Sequence, residues 1–315
     1  IEKSIISTLA YFDIFNFPLT KQELWQNLWI EDPATVVNES LRQDFEKAFE
    51  RLIPKYINCA GGFCGLASEQ FSQKIVTRKE NYRAAIRKKD VAAQNAKLLS
   101  RMPFVRAIFL CNNLAYDNSR DDSDIDFFVV TKRGRLFVCR FFCVLLMKIL
   151  RRRPTKMKTR DKICLSFWVD ECRLGLGDIL KQNDIYLHYW LKQLVPLYDS
   201  QNLLNKIWQQ NVWIKYRVPN VLPYRSSSRL VQNVRQGFLS RIFSAFVPHF
   251  VENIAREIQI AMLPSDVKNK MQTNDGPAIG GVIVGVNIFK AHVNDRREQF
   301  KNLWLEKVEK IYATS

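Results

Sequence analysis

The sequence contains no run of about 18 consecutive apolar residues, so it predicts no membrane-spanning helix. The best candidate, Leu136 to Leu150, is short and carries Arg140 and Lys148; it reads as a buried helix. The N-terminal segment does not read as a secretory signal. Among seven cysteines there is no CxxC pair, which argues against a zinc site and against a disulfide framework. Most of them sit among apolar residues, where cysteine is a small hydrophobe, and the expected setting is reducing and cytoplasmic. Histidine is scarce at three residues; His188 and His249 lie in apolar helical stretches and read as core. The glycine-rich "NDGPAIGGVIVGVNIF" lacks the Lys-Ser or Lys-Thr of a phosphate loop and reads as a buried strand or hairpin. There is no internal repeat and no long low-complexity stretch.

Acidic residues are also short, with a formal charge of +17. An excess of that size points to polyanionic partners: nucleotide, nucleic acid or another anionic acceptor. Its distribution is uneven. Residues 1–68 hold 6 basic and 9 acidic residues, 69–102 hold 9 and 3, and 200–251 hold 7 basic residues and no acid. The positive field belongs to everything after the N-terminal segment.

The expected class is α+β, in three parts. Residues 1–68 carry "IEKSIISTLAYFDIF" at helical spacing, then "PLTKQELWQNLW", where Thr20 and Glu23 form a capping-box signature, then "NESLRQDFEKAFERLI". "YINCAGGFCGLA" reads as a hairpin about Gly61–Gly62. Three helices and a hairpin make a winged-helix pattern. The third helix mixes Glu39, Asp44, Glu46 and Glu50 with Arg42, Lys47 and Arg51, a poor face for DNA phosphates, so packing or partner docking is favoured.

Residues 69–177 begin with one or two basic helices, either a solvated connector or a phosphate-binding face. They continue with strand "FVRAIFLCN", strand "SDIDFFVVT", helix "GRLFVCRFFCVLLMKIL" and strand "KICLSFWVD", a small mixed sheet. Residues 178–315 read as mostly helical, with Trp190, Trp208 and Trp213 as core and Pro219–Ser228 as a loop.

Chemistry concentrates in "LCNNLAYDNSRDDSDIDFFVVT". Asp124 and Asp126 are two residues apart on a strand and therefore project to the same side. Two carboxylates so close call for a compensating cation, and oxygen ligation suits Mg²⁺ or Mn²⁺. Asp121 and Asp122 read as turn residues. A bare Asp-x-Asp is also common without chemistry.

The segment resembles the nucleotidyltransferase superfamily of DNA polymerase β, whose signature is an apolar strand, Gly-Ser, about ten residues, and Asp-x-Asp in the next strand. Here "VRAIFLC" is followed by Asn112–Asn113 in place of Gly-Ser, ten residues, and "DIDFFVV". The wider chain is similar to a group of bacterial proteins with an N-terminal winged helix and a helical C-terminal part, through "YFDIFNFPLT", "DIYLHYWLKQLVPLYD" and "FKAHVNDRREQF". The resemblance implies a small mixed-sheet nucleotidyltransferase domain. It implies Mg²⁺ or Mn²⁺ on Asp124 and Asp126, ATP or another nucleoside triphosphate as substrate, and a third carboxylate, for which Asp170 is the first candidate and Asp161 the second. Asn112 is the best non-glycine residue for a positive φ, and the Asn113 amide can donate to a phosphate. The asparagines leave two functions open. One is an active transferase. The other is a catalytically decayed fold that binds nucleotide or nucleic acid.

"KILRRRPTKMKTRDK" holds eight basic residues and one acid in fifteen, with Arg160 and Lys162 nearest the third strand; it is either a solvated loop or a phosphate clamp. His292, Asp295 and Arg296 fall within about one helical turn. They either position a substrate or form an exposed helix pair.

Overall fold

In the computed structural model, residues 1–32, 40–220, 247–272, 281–291 and 295–313 are described. The proposed loop Pro219–Ser228 lies largely outside these residues, as does His292.

Helices α1 (Glu2–Asp13), α2 (Lys21–Gln26) and α3 (Ser40–Leu52) pack beside a three-stranded antiparallel sheet of β1 (Leu19–Thr20), β2 (Ile57–Ala60) and β3 (Phe63–Leu66), in the order β1-β3-β2. Thr20 and Glu23 form the capping box that the spacing predicts. Gly61 and Gly62 take φ of 56° and 80°, the left-handed pair that a two-residue hairpin needs. Across that hairpin Cys59 is directly opposite Cys64, and the two form a disulfide. Cysteine spacing alone predicts no such bond: register, rather than CxxC spacing, brings these sulfurs together.

A single 29-residue helix α4 (Phe71–Leu99) follows. Its basic side chains divide: Lys79, Arg83 and Lys97 are exposed, while the others are held in ion pairs. Lys74 pairs with Asp13 at 2.5 Å and Arg78 with Glu23 at 2.6 Å. One turn after another further on, Arg87 pairs with Asp121 and Asp161, and Lys89 with Asp117 at 2.5 Å. The helix is a strap from the N-terminal unit to the acidic turn.

The main sheet has seven strands in the order β7-β4-β5-β6-β10-β9-β8. They are β4 (Val105–Leu110), β5 (Ile125–Thr131), β6 (Ile163–Asp170), β7 (Val195–Asp199), β8 (Met271–Gln272), β9 (Val282–Val284) and β10 (Ile288–Ala291). β5 and β6 are parallel, linked by helix α6 (Leu136–Ile149), while β4–β5, β4–β7 and β6–β10 are antiparallel. The region after residue 178 is thus not only helical: it supplies strands to both edges of the sheet. "DIYLHYWLKQLVPLYD" divides into helix α7 (Ile185–Lys192) and strand β7 because Pro196 stops the helix, and β7 is an edge strand, where proline's missing N–H is tolerated. The hairpin β9–β10 is the buried "GVIVGVNIF" segment.

Apolar alternation along the strands fills two cores. On one face Phe109, Phe128, Val130 and Phe167 join Tyr189, Trp190 and the residues of α1. On the other Ile108, Phe127, Val129 and Trp168 pack under α4 and α6. The C-terminal helix Arg297–Ala313 returns to α1, where Trp304 Nε1 donates to Ser7 O at 2.9 Å. Among the described residues no helix is long and apolar enough to cross a membrane.

Candidate metal and nucleotide site

Strand β4 ends at Leu110, and a short helix, α5 (Asn112–Ala115), begins two residues later. Asn112 has φ 57°, the left-handed conformation in which asparagine is the best substitute for glycine. Its side chain is fully engaged. Oδ1 accepts from Tyr186 OH at 3.1 Å and Trp190 Nε1 at 2.9 Å, and the side chain is near enough to the Asp126 carboxyl to favour its charged form. Trp190, read as core, therefore also anchors the turn. Asn113 is exposed to the cavity, and among the described residues its side chain makes no hydrogen bond.

Asp124 and Asp126 stand at the start of β5, on the face that carries Phe128. They line a cavity of about 290 Å³ with Asn112, Asn113, Ser119 and Ser123. Burial, then the neighbouring Asp124, pushes the Asp126 carboxyl up to about 6. Burial raises Asp124 too, against the pull of Lys88 and Arg153. Among the described residues neither aspartate has an ion pair, so the charge of the pair is not neutralised by direct contact.

The third member of the cluster is Cys164. It is the Cα partner of Asp126 across the parallel pair β5–β6, and its sulfur and one oxygen from each aspartate lie within 4.8 Å of one another. No local pattern marks this residue, because only the pairing register of β5 and β6 brings it to the aspartates. The thiol also reaches Ser166 Oγ at 3.4 Å, and burial, then Asp126, raises its pKa. Two carboxylates match what Mg²⁺ or Mn²⁺ takes from a protein when substrate phosphates supply the remaining ligands; the thiol is too soft to be a strong ligand for Mg²⁺.

Asp170 is not at this site. Alternation along β6 puts it on the side of Ser166, but β6 bulges: Asp126 pairs with Cys164 and Phe128 with Phe167, so one extra residue falls between them. The bulge sends Phe167 and Val169 to the cavity side and Trp168 and Asp170 to the other. There Asp170, fully buried, accepts from Gly134 N at 3.0 Å and Cys172 N at 2.9 Å. Asp161 is also elsewhere, paired with Arg87 at 2.7 Å and Lys88 at 3.5 Å.

The acidic turn divides as the spacing predicts. Asp121 pairs with Arg87 at 2.8 Å and Arg160 at 2.9 Å, and Asp122 with Arg120 at 2.5 Å. Lys88, fully buried on α4, donates to Ser123 O and fixes the approach to Asp124. Arg160 is thus engaged by the turn, and Lys162 donates to Arg151 O at 2.8 Å. Neither lines the cavity. Within that basic run Arg153 is the residue near the site: it donates to Ile163 O at 2.8 Å, and Cys164 and Asp124 oppose the lowering of its pKa by burial.

The opposite end of the cavity is basic. Lys290 of β10 pairs with Asp295 at 3.2 Å, and Arg297 with Asp184 at 2.8 Å and Asp295 at 2.9 Å. Asp295 is therefore a partner in a buried cluster rather than in an exposed helix pair. Arg296 lines the cavity and is exposed. His188 is buried between Trp29 and Trp213, with centroids at 5.0 and 4.7 Å, as its apolar surroundings predict. His249 is exposed, at the start of the helix Phe250–Ala261, and is not core.

No protein-family model matches the chain, and neither does any curated protein or any solved structure.

Proposed function

We propose that the protein is a Mg²⁺-dependent nucleotidyltransferase that moves a nucleoside monophosphate from ATP or another nucleoside triphosphate to an acceptor hydroxyl. One observation carries this reading. The left-handed Asn112 turn after β4 and the paired aspartates of β5 open onto a single cavity.

In this reading Asp124 and Asp126 hold the cation, and Asn113 donates its free amide to a phosphate oxygen. Ser119 and Ser123, with hydroxyls 2.9 Å apart, line the same cavity. Arg153 supplies positive charge from behind Asp124. When bound, the cation screens the phosphates and activates the attacking oxygen. The acceptor oxygen bonds the α-phosphorus, the bond to the bridging oxygen breaks, and pyrophosphate leaves. A carboxylate oxygen of Asp126 takes the hydroxyl proton.

The N-terminal unit, in the same proposal, is a winged-helix fold used for packing. Its third helix spends Arg42 on Glu46 and Arg51 on Glu2, leaving little charge for DNA. A second reading, a decayed fold that binds nucleotide or nucleic acid without transfer, is favoured by Cys164 standing where the resemblance calls for a carboxylate.

The test is a transfer assay. The protein is incubated with Mg²⁺, ATP labelled at the α-phosphate, and a pool of small hydroxyl metabolites. Label should move to a new product with wild type and not with D124N or D126N. Equal transfer by the variants sinks the site. Absence of transfer with any of the common nucleoside triphosphates, alongside intact binding, favours the second reading.

A further inference from the structure

We propose that the basic end of the cavity is the acceptor subsite, and that it takes a small molecule bearing a phosphate-type dianion, seated on Lys290 and Arg296. The word acceptor rests on the transferase reading; the anion subsite does not.

Strand order separates the two ends. The Asn112–Asn113 turn follows β4, on one side of the aspartates of β5. Lys290 is on β10, beyond β6 on the other side, where it pairs with Phe167. Two strand spacings, about 10 Å, separate β5 from β10. A triphosphate held between the asparagine turn and the aspartates therefore leaves Lys290 and Arg296 for a different group.

Charge selects that group. Lys181, Lys290 and Arg297 surround Asp295, and Arg297 also reaches Asp184. With Arg296, four cations stand against two carboxylates, and Arg296 has no carboxylate in ion-pair range among the described residues. A surplus of two positive charges matches a phosphate monoester, which carries about −1.5 to −2 at neutral pH. It repels a cationic acceptor of the aminoglycoside kind.

Size and shape select further. The acceptor has only part of a cavity of about 290 Å³, and Tyr186 stacks on Phe300 with centroids 5.4 Å apart along one wall. That space suits a compact molecule such as a sugar phosphate, with its hydroxyl toward Asp126 and its phosphate toward Lys290.

The experiment titrates inorganic phosphate into the metal-free 315-residue chain by calorimetry. Wild type should bind saturably. R296Q, on an exposed side chain that does not threaten folding, and K290Q should each weaken binding about fivefold or more, while N113A changes it by less than about twofold. No saturable binding by wild type, or loss in N113A with R296Q unaffected, overturns the subsite. A second arm adds Mg²⁺ and a non-hydrolysable ATP analogue at saturation. Unchanged phosphate affinity supports an acceptor site beside the nucleotide. Displacement of phosphate shows that this end reads the nucleotide's own phosphates and overturns the acceptor assignment. An analogue that does not bind at all defeats the transferase reading, and the acceptor assignment with it, while the first arm still decides the anion subsite.

Discussion

Asp126 and Cys164 are paired across the parallel strands β5 and β6, with Asp124 close enough to complete a three-atom cluster. That pairing fixes the donor set as two carboxylates and a thiol, and it assigns Asp170 a different task. From Cys164 to Asp170 is six residues of strand, about 20 Å. D170A should therefore leave Mg²⁺–nucleotide affinity within about twofold of wild type, because distant sites act independently. It should cost about 2–3 kcal/mol of stability, since the N–H groups of Gly134 and Cys172 lose their acceptor. Denaturant unfolding and calorimetry on the same sample read both effects.

Asn112 gives a second prediction, in which two effects oppose each other. N112G relieves the left-handed backbone. It also strands the Tyr186 hydroxyl and the Trp190 indole N–H, both of which donate to Oδ1. Leaving these part-buried donors unpaired costs about 1–2 kcal/mol, more than glycine's freedom returns, so the variant should be less stable by chemical denaturation. A more stable N112G would show that the side chain is not the anchor described above.

The pH dependence of stability follows from Asp126. Its native carboxyl is at about 6 against an ordinary 3.8. Between these values the native state holds a proton that the unfolded chain has lost, so this group's contribution to stability falls as pH rises through that window. The penalty above it is on the order of 3 kcal/mol. Metal-free D126N should then melt a few degrees higher than wild type near neutral pH, with the gap closing toward pH 4. A D126N protein that melts lower throughout would contradict the burial argument.

The basic run before β6 separates by position. R153Q should weaken Mg²⁺–nucleotide binding about fivefold or more, roughly 1 kcal/mol, because Arg153 lies close enough to Asp124 to influence it. R160A and K162A should change it by less than about twofold, since Arg160 is held by Asp121 and Lys162 by Arg151 O. Comparing the three dissociation constants at one salt concentration decides the matter.

What the sequence made legible was local. Thr20–Glu23, the Gly61–Gly62 hairpin, β4, β5, α6 and β6 follow from caps, turn residues and periodicity, and so does the shared direction of Asp124 and Asp126. The unread parts are non-local. A bulge in β6 reverses the side on which Asp170 falls, and periodicity cannot announce a bulge. Cys164 enters the cluster through strand pairing. Cys59 and Cys64 meet through hairpin register. Lys290 reaches the cavity because an apolar segment 120 residues after Asp170 returns to pair with β6. Arg153 differs from Arg160 only in what covers it, which no charge count records.

The most direct test of the central claim is calorimetry with a non-hydrolysable nucleoside triphosphate, with and without Mg²⁺. The account predicts saturable binding by wild type that requires Mg²⁺ and is lost in both D124N and D126N. Binding of equal strength in those variants, or binding indifferent to Mg²⁺, would contradict it.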